Sequence, residues 1–381
     1  MVDDFFCSGD MSRDCNASFT VLIPENASPQ GHGEFRLISL VGCIQKIISK
    51  LLAGRLKRVI HNVISECQTA FIQDCFIMDG MAIANEIIDQ AKKKKDSDCF
   101  IFKVDFEKAY NSVNWGFLLY MMERMRFCFK WRNWVKNCLH SNMVSILVNG
   151  CPSKEFRMTR GLSQGDPLAP FLFLIVVEGL SGMMRSAVAK EIFKGYPVGN
   201  DKVLISHLQY ADDPLLIGIN SMENVVVLKS ILKCFELASG LRIKIHKSSF
   251  IGINSGGGFS QMAANKLLCN VGSIPFKFLG ISVGATPRRI ATWNPVMESF
   301  KKRLSAWHQK IISFGGRVTL IKSVLSSLAI YFFLSSRLRV WLFLNYKKSK
   351  GGSCGGMERG VKESIGLVGV LFENIKRKGV W

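Results

Sequence analysis

Apolar residues recur along this chain at two spacings, one typical of helices and the other of strands. Across Ile44–Val63 they return every three or four residues, and the same spacing recurs in Met78–Ala91 and Met222–Leu237. These stretches predict helices with one apolar face. Phe100–Val104 is instead a short apolar run typical of a strand, and it ends at the acidic residue Asp105. The chain is therefore predicted to combine helices with strands.

Polar residues, prolines and glycines mark the predicted loops and turns. Residues 1–35 are polar apart from Phe19–Ile23, which predicts a loop with a single edge strand. Trp115–Leu139 predicts one aromatic-rich helix. Asn149-Gly150 predicts the turn of a hairpin, and Pro275–Gly280 is a second, aromatic hairpin candidate.

The loop Arg160–Pro167 reads Arg-Gly-Leu-Ser-Gln-Gly-Asp-Pro. Its glycines allow the backbone to approach a ligand closely. Asp166 followed by Pro167 predicts a helix start, with the aspartate as N-cap and the proline in the first helical position. The following stretch, to about Met184, is apolar on nearly every side, which places this helix in the core. The loop, with Arg160 and Gln164, is therefore expected to be rigidly mounted.

Three aspartates are the strongest candidates for chemistry. The segment Ser206–Gly218 predicts a hairpin with Asp212 and Asp213 at its tip, and Asp105 ends the apolar strand about a hundred residues earlier. Aspartate is also a common turn residue, and this alone accounts for most aspartate pairs between strands. Adjacent carboxylates nevertheless repel each other unless a cation neutralises them. Together the three acids favour a site that holds divalent metal.

Carboxylate oxygens suit magnesium, which keeps water or substrate phosphates in its other positions. Two such ions can activate an attacking hydroxyl group and stabilise a leaving phosphate. This chemistry is one interpretation of the acidic residues, beside their structural role in turns.

Composition favours a polyanionic partner. The formal net charge is +21, and Lys301–Lys350 contains eleven Lys or Arg residues and no acidic residue. Nucleic acid is favoured over a membrane surface, with a generically basic protein as the alternative. Twelve cysteines lack metal-ligand or redox-pair spacing, and neither a secretory signal nor a membrane-spanning run is visible. We therefore expect an intracellular protein with reduced thiols and no membrane partner.

Four separated motifs stand in one order along the chain. They are the strand that ends at Asp105, the Gly-Leu-Ser-Gln-Gly-Asp-Pro-Leu loop, the Tyr-Ala-Asp-Asp hairpin and the sequence Phe-Leu-Gly. Together they resemble the reverse transcriptase domain of a LINE-type, or non-LTR, retrotransposon of the sort abundant in plant genomes. The resemblance extends from about Cys15 to Ser335.

The resemblance implies an α+β fold, the right-hand polymerase with fingers, palm and thumb, in which an antiparallel palm sheet packs on helices. It places an N-terminal segment and the fingers at 1–98 and the palm at 99–290, with a finger insertion near 140–165. Basic helices at 291–346 would form the thumb, and 347–381 is a divergent tail.

The activity implied by this resemblance is that of an RNA-directed DNA polymerase. Asp105, Asp212 and Asp213 match the palm carboxylates that hold two Mg²⁺ ions, and the reaction joins a dNTP to a primer 3′-hydroxyl on an RNA template. The expected partners are therefore an RNA template, a DNA primer and dNTP.

Further residues match the family's substrate contacts. Tyr110 resembles the aromatic gate that crowds the sugar 2′ position. Gln164 and Gly165, in the loop with Arg160, match the segment along the template base and nucleotide, and Lys247 resembles a lysine near the leaving phosphate. The family's primer grip is matched by Phe278, Leu279 and Gly280.

The chain also departs from the family pattern. Cys75 stands where an arginine usually meets the triphosphate, Asn111 replaces an aspartate, Leu37 replaces a proline, and Pro214 follows the paired acids in place of a hydroxyl residue. The chain starts inside the fingers without an endonuclease domain, and the tail after Ser335 leaves the pattern. These departures predict a truncated, degenerate copy. The alternatives are an inactive nucleic-acid-binding remnant and an unfolded product.

Overall fold

A computed structural model describes most of the chain up to residue 285. The undescribed positions in this range are 12–15, 25, 32–33, 95–97, 200 and 257, and the described positions beyond it are 298, 313, 315, 316 and 319. Apart from those single positions, the basic helices expected at 291–346 and the tail at 347–381 lie outside the described residues.

The chain divides into two compact units. The first unit comprises Met1–Phe76 and Lys94–Gly272, and the second comprises Ile77–Lys93 and Ser273–Trp381. The α-helices described in the first unit are α1 (Val2–Ser8), α2 (Cys43–Lys57), α3 (Ile60–Val63), α5 (Ala109–Ser112), α6 (Trp115–Arg124), α7 (Phe129–His140), α8 (Ala169–Ala189), α9 (Met222–Ser239) and α10 (Phe259–Leu267).

The first sheet of this unit begins near the N-terminus. Its strands are β1 (Ala17–Pro24), β2 (Phe35–Val41), β4 (Met143–Val148), β5 (Cys151–Pro152) and β6 (Phe156–Arg157). The order is β2-β1-β4-β5, with β6 also paired to β4 and only the β1–β4 pair parallel. The edge strand expected at Phe19–Ile23 is therefore wrong, because β1 has a partner on each side. The hairpin at Asn149-Gly150 is confirmed as the connection between β4 and β5.

The second sheet, called the central sheet below, carries the acidic residues. Its strands are β3 (Cys99–Lys103), β9 (His207–Tyr210), β10 (Asp213–Ile219), β11 (Ser249–Ile253) and β12 (Asn270–Val271), in the order β12-β11-β3-β10-β9. The β3 strand pairs antiparallel with β10 and β11 and is almost wholly buried. Its Phe100 ring stacks on the Phe250 ring of β11, with centroids 5.0 Å apart. This aromatic contact fixes the strand in the core.

The α8 helix forms much of the core beside this sheet. Most of its side chains are buried, as its apolar composition predicts. The predicted N-cap is wrong: the N-cap is Leu168, and Pro170 lies in the first turn. Asp166 instead accepts a hydrogen bond from the Leu168 N–H at 2.8 Å and orders the entry to the helix. Length and hydropathy alone would let α8 cross a membrane, but core helices pass the same test and most of this one is buried.

Two local features differ from the sequence expectations. The single helix expected at Trp115–Leu139 is wrong, because the chain breaks into α6 and α7 around Arg126, which has a φ of 60°. Leu204 lies on the same side of the acidic pair in the sequence as Leu208 and Tyr210, which predicts that it belongs to the first strand of the hairpin. It lies instead in β8 (Val203–Ile205), which pairs with β7 (Tyr196–Val198).

The second unit contains a helix and a small hairpin in its described part. These are α4 (Ile77–Lys93), β13 (Phe276–Phe278) and β14 (Ile281–Val283). The aromatic hairpin predicted at Pro275–Gly280 is thus confirmed, with Leu279-Gly280 as its turn. The Gly284 N–H donates to the Asn85 side-chain oxygen at 2.8 Å, tying the end of β14 to the helix.

The α+β class is confirmed for the part of the chain that the structure describes. The central sheet is antiparallel except for the short β11–β12 pair, and buried apolar helices cover it. Its strand ends hold the predicted acidic residues.

Candidate active site

The acidic hairpin is a tight turn between β9 and β10. Tyr210 pairs with Asp213, so that Ala211 and Asp212 alone form the turn. Ala211 has a φ of 49°, in the left-handed region that residues with a Cβ rarely adopt. Asp213 is the first residue of β10, whereas Asp212 lies in the turn itself. The two carboxylates therefore start from different backbone environments.

The register of the central sheet brings Asp105 to this hairpin. Lys103 of β3 pairs with Leu215 of β10, and the Val104 N–H then donates to the Pro214 carbonyl oxygen at 3.2 Å. Continuing this antiparallel register by one residue sets Asp105 beside Asp213. Residues more than a hundred positions apart thus meet at one end of the sheet.

The three carboxylates influence one another electrostatically. Asp212 is exposed, while Asp105 and Asp213 are half-buried. The pKa of Asp213 is raised to about 6, chiefly by the loss of surrounding water and then by repulsion from Asp212. Lys103 lowers this pKa, and repulsion from Asp105 adds the smallest contribution to the rise. The pKa of Asp212 is also raised, chiefly because the surrounding protein displaces water and to a lesser extent by repulsion from Asp105. A backbone hydrogen bond and the positive charge of Arg36 oppose this rise. The site therefore concentrates negative charge with incomplete compensation.

The donor set suits a divalent cation, although the side chains do not form a finished metal cluster. Among the residues that the structure describes, no three Asp, Glu, His or Cys side chains are grouped closely enough to hold a metal. In the same residues, Asp105, Asp212 and Asp213 form no salt bridge. Hard oxygen donors favour a cation, and the raised pKa values of Asp212 and Asp213 indicate negative charge that a cation would neutralise. A bound ion would have to draw the carboxylates together.

The turn that carries Lys247 is hydrogen-bonded to the backbone of Asp105. The Lys244 N–H donates to the Asp105 carbonyl oxygen at 2.7 Å, and the Asp105 N–H donates to the Ser248 hydroxyl oxygen at 3.2 Å. Between these two contacts lies a 3-10 turn that ends at Lys247, whose side chain is exposed. The turn that carries the lysine is therefore anchored on the first catalytic candidate.

Tyr110 lies on the short helix α5 beyond Asp105. Its ring stacks on Phe173 of α8 with centroids 4.6 Å apart and an interplanar angle of 15°. Burial raises the pKa of the Tyr110 hydroxyl to about 12, and the nearby Asp212 carboxylate contributes to that rise. The phenol therefore stays protonated at neutral pH, held flat against the core close to the acidic turn.

The backbone of Tyr110 and its neighbours also anchors the loop that holds Gln164. The Leu162 N–H donates to the Tyr110 carbonyl oxygen at 2.7 Å, and the Gly161 N–H donates to that of Val113 at 2.8 Å. Gly161 has a φ of 88°, and a Cβ there would lie 2.7 Å from the Asn111 carbonyl oxygen. Glycine is therefore required for this close approach.

The far side of the loop is held by the first sheet. The Ser39 N–H of β2 donates to the Gln164 carbonyl oxygen at 2.8 Å. Gly165 has a φ of 113°, and a Cβ there would lie 2.7 Å from the Ser39 carbonyl oxygen. The Gln164 side chain is half-buried and that of Arg160 is exposed. The loop thus connects β2 with the Tyr110 helix through main-chain hydrogen bonds, and the side chains of Gln164 and Arg160 take no part in these bonds.

Pro214 stands in β10, an interior strand of the central sheet. It accepts the hydrogen bond from Val104 but has no N–H with which to return the second bond of that pair. Proline at this position therefore deletes one ladder bond beside the acids. The structure assigns it to the side that faces β3.

Sequence reasoning missed two buried glutamines behind the hairpin. Gln68 and Gln209 both contact the backbone of Ala211, the residue before Asp212. Only one indication of Gln209 was visible in the sequence: it is a polar residue in a strand whose position in the predicted hairpin favours apolar residues. The expected primer grip, Phe278 to Gly280, belongs to the second unit, where Phe278 is buried and Gly280 is exposed.

Comparison with known proteins identifies relatives of this arrangement. The Reverse transcriptase (RNA-dependent DNA polymerase) family matches residues 23–283. The "Retrovirus-related Pol polyprotein from type-1 retrotransposable element R2" of Popillia japonica is 24% identical over 243 residues, which cover 63% of this chain and 32% of that protein. The "Transposon TX1 uncharacterized 149 kDa protein" of Xenopus laevis is 24% identical over 336 residues, which cover 86% of this chain and 25% of that protein.

A solved structure is also similar. The apo telomerase of Candida tropicalis truncated from the C-terminal domain has a TM-score of 0.46 and 13% identity, with 72% of this chain and 55% of that chain covered. The chain spans a third or less of the length of the R2 and TX1 proteins. The family match contains the central sheet, the acidic hairpin and the Gln164 loop. The chain therefore belongs to the reverse transcriptase family, the RNA-directed DNA polymerases, and has relatives among the non-LTR retrotransposons R2 and TX1.

Proposed function

We propose that this chain is the polymerase domain of a plant LINE-type retrotransposon copy and extends a DNA primer on an RNA template. The observation that carries this proposal is the meeting of Asp105, Asp212 and Asp213 at one end of the central sheet. The Asp105 carboxylate contributes to the raised pKa values of Asp212 and Asp213, which requires proximity, and aspartate oxygens are the ligands that Mg²⁺ prefers.

The chemistry needs a nucleophilic hydroxyl group and a neutralised leaving group. The primer 3′-oxygen attacks the α-phosphorus of the dNTP, the bond to pyrophosphate breaks, and the hydroxyl proton leaves to solvent. Two Mg²⁺ ions held by the three aspartates would supply positive charge for both oxygens. The protein's own contribution is to bring the carboxylates to one place and to exclude part of the water around them.

The other site residues take roles around this centre. Tyr110, held flat on Phe173, would exclude a ribose 2′-hydroxyl, and Gln164 with Gly165 and Arg160 would face the template base and nucleotide. Lys247 would approach the leaving phosphate, with Phe278, Leu279 and Gly280 holding the primer end.

The proposed polymerase contains fingers, palm and thumb in the order of the chain. The fingers comprise residues 1–98 together with an insertion near 140–165, and the palm comprises the rest of 99–290. The basic segment 291–346 would be the thumb and would contact phosphates without reading sequence.

Primer extension tests the proposal. Purified wild type and the variant Asp212→Asn are each incubated with primed RNA, dNTPs and Mg²⁺. The matched control is Asp98→Asn, because Asp98 is an exposed aspartate that precedes β3, away from the acidic turn. We expect the wild type and Asp98→Asn to extend the primer and Asp212→Asn to lose at least about a hundredfold in rate, as expected for lost electrostatic stabilisation. Extension that survives Asp212→Asn would contradict the proposed role of the hairpin.

A second candidate function is a catalytically inactive remnant that binds nucleic acid. It is favoured by Pro214, which removes a ladder bond beside the acids, and by Cys75 at the position where the family pattern has arginine. This candidate predicts salt-sensitive binding to primer–template without extension. Extension recovered by Cys75→Arg combined with Pro214→Thr would support it, whereas extension by the unchanged protein would exclude it.

A further inference from the structure

A small cluster of buried polar side chains lies behind the acidic turn. Gln68, Gln209 and Ser181 are 1%, 2% and 0% exposed, and they come from three separate segments of the chain. Buried polar groups are costly unless they are hydrogen-bonded, so such a cluster needs a structural reason. The reason here is the backbone of Ala211.

Gln68 binds two backbone amides through one oxygen. Its Oε1 accepts from the Ala211 N–H at 2.9 Å and from the Ala70 N–H at 3.0 Å. Because both partners are donors, the network itself fixes the orientation of the side-chain amide. The Nε2 group is buried and has no partner among the described residues. The carbonyl oxygen is therefore the part of Gln68 that the fold uses.

Gln209 secures the other polar group of the same residue. Its Nε2 donates to the Ala211 carbonyl oxygen at 3.3 Å, and the Ser181 hydroxyl of α8 donates to its Oε1 at 3.1 Å. Main-chain bonds tie the two glutamine segments together, since the Gln209 N–H donates to the Cys67 carbonyl oxygen at 2.8 Å. Both polar groups of the Ala211 backbone thus bind buried glutamine side chains. We call Gln68 and Gln209 the glutamine clamp.

The clamp acts where the backbone needs support. Ala211 holds a positive φ although it has a Cβ, and the residues that follow it are the acidic pair. A backbone in this region persists only when the surroundings determine it. Releasing Ala211 would let the turn relax and would change where the carboxylates of Asp212 and Asp213 stand relative to Asp105.

We infer that Gln68 is a positioning residue that, with Gln209, holds the Ala211 turn so that Asp212 and Asp213 can share a divalent cation with Asp105. This inference rests on the proposed function, because the shared cation matters only if the aspartates bind one. Gln68 acts through the turn and does not itself touch the metal or the substrate.

Gln68→Met tests the inference, because methionine keeps the length of the side chain and removes the acceptor. The matched control is Asn224→Leu. Asn224 is also a buried amide, 2% exposed, but it satisfies the backbone of Lys194 and Ile219 at the opposite end of β10. Both variants therefore lose a buried network that is bonded to backbone groups, and only one of the networks touches the acidic turn.

Hydrogen exchange and Mn²⁺ titration provide readouts that do not depend on catalysis. In Gln68→Met we expect the Ala211 amide to exchange at least about tenfold faster and the Kd for Mn²⁺, followed by the free-ion EPR signal, to rise about tenfold. Asn224→Leu should speed exchange at Lys194 and leave both the Ala211 amide and the Mn²⁺ affinity unchanged. In primer extension, Gln68→Met should lower kcat with little change in KM for dNTP.

Each outcome decides one of the two proposals. Unchanged Mn²⁺ affinity in Gln68→Met, or an equal loss in Asn224→Leu, overturns the clamp. If the wild type binds Mn²⁺ and Gln68→Met weakens that binding, but neither extends a primer, the clamp stands and the polymerase function fails. If Gln68→Met does not fold, Ser181→Ala is used instead, because it removes only the hydrogen-bond donor to Gln209. This variant should show the same changes in Ala211 exchange and Mn²⁺ affinity, but smaller ones. If neither quantity changes in Ser181→Ala, the clamp is also overturned.

Discussion

Replacement of Asp213 by asparagine should stabilise the folded protein at neutral and alkaline pH. Burial and two neighbouring carboxylates raise the pKa of Asp213 from 3.8 to about 6. An acid whose pKa is raised by folding holds its proton in the folded state while the unfolded state has already lost it. Stability is therefore lost as pH rises from about 4 through 6 and stays low above that range.

The magnitude follows from the same shift. A rise of the Asp213 pKa from 3.8 to about 6 corresponds to about 3 kcal/mol if solvent screening is ignored. Asp213 is only half-buried, so screening reduces this to about 1 to 2 kcal/mol. Asp213→Asn removes the charge and with it the cost, and the advantage of the variant should grow by about 1 kcal/mol between about pH 4.5 and pH 8.

Urea unfolding at the two pH values, in the presence of a chelator, measures the difference. Asp98→Asn is the matched control, since Asp98 is exposed and precedes the neighbouring strand β3, at the end of the central sheet away from the acidic turn. Added Mg²⁺ should narrow the gap between wild type and Asp213→Asn, because a cation that binds the ionised site stabilises the wild type. An advantage of the same size at both pH values, or no advantage at all, would refute the reasoning.

Three further predictions concern the stability of the fold and the selectivity of the site. Gly165→Ala should lower stability by about 1 to 3 kcal/mol in urea unfolding and impair primer extension, because its Cβ would meet the Ser39 carbonyl oxygen. Gly54→Ala, at an open position in the last turn of α2, should instead raise stability by about 0.5 to 1 kcal/mol in the same assay. Tyr110→Ala should raise the incorporation of ribonucleotides relative to dNTPs, and Tyr110→Phe should not, as single-nucleotide extension would show. Ser221→Ala should cost about 1 kcal/mol in thermal unfolding, since the Ser221 hydroxyl oxygen caps α9 by accepting from the Glu223 N–H.

The acidic hairpin and the Asp105 strand could be predicted because their signals are local. Each is a short apolar run that ends at turn or acidic residues, and the structure reproduces both as β3, β9 and β10. The α8 core helix was predicted for the same reason. Its predicted start lies two residues too early, because Asp166 caps a turn before the helix and Pro170 offers an equally good first turn.

Other features depend on contacts that no local pattern reveals. The β1 strand looks like an edge strand by its flanking polar residues, yet β2 and β4 pair with it from both sides. The break between α6 and α7 occurs at Arg126, without the glycine or proline that usually marks one. The role of Gln68 was invisible for a similar reason, because its partner Ala211 lies 143 residues further along the chain.

The way the Gln164 loop is held has a practical consequence. Its ties to Ser39, Tyr110 and Val113 all run between main-chain atoms, so they do not depend on the identity of the Arg160 or Gln164 side chain. A non-natural amino acid that carries a fluorophore or a photo-crosslinker, introduced at position 160, should therefore leave these main-chain bonds intact. Such a label would report ligand binding near the loop directly. Libraries randomised at positions 160 and 164 would vary ligand recognition without removing the hydrogen bonds that hold the loop.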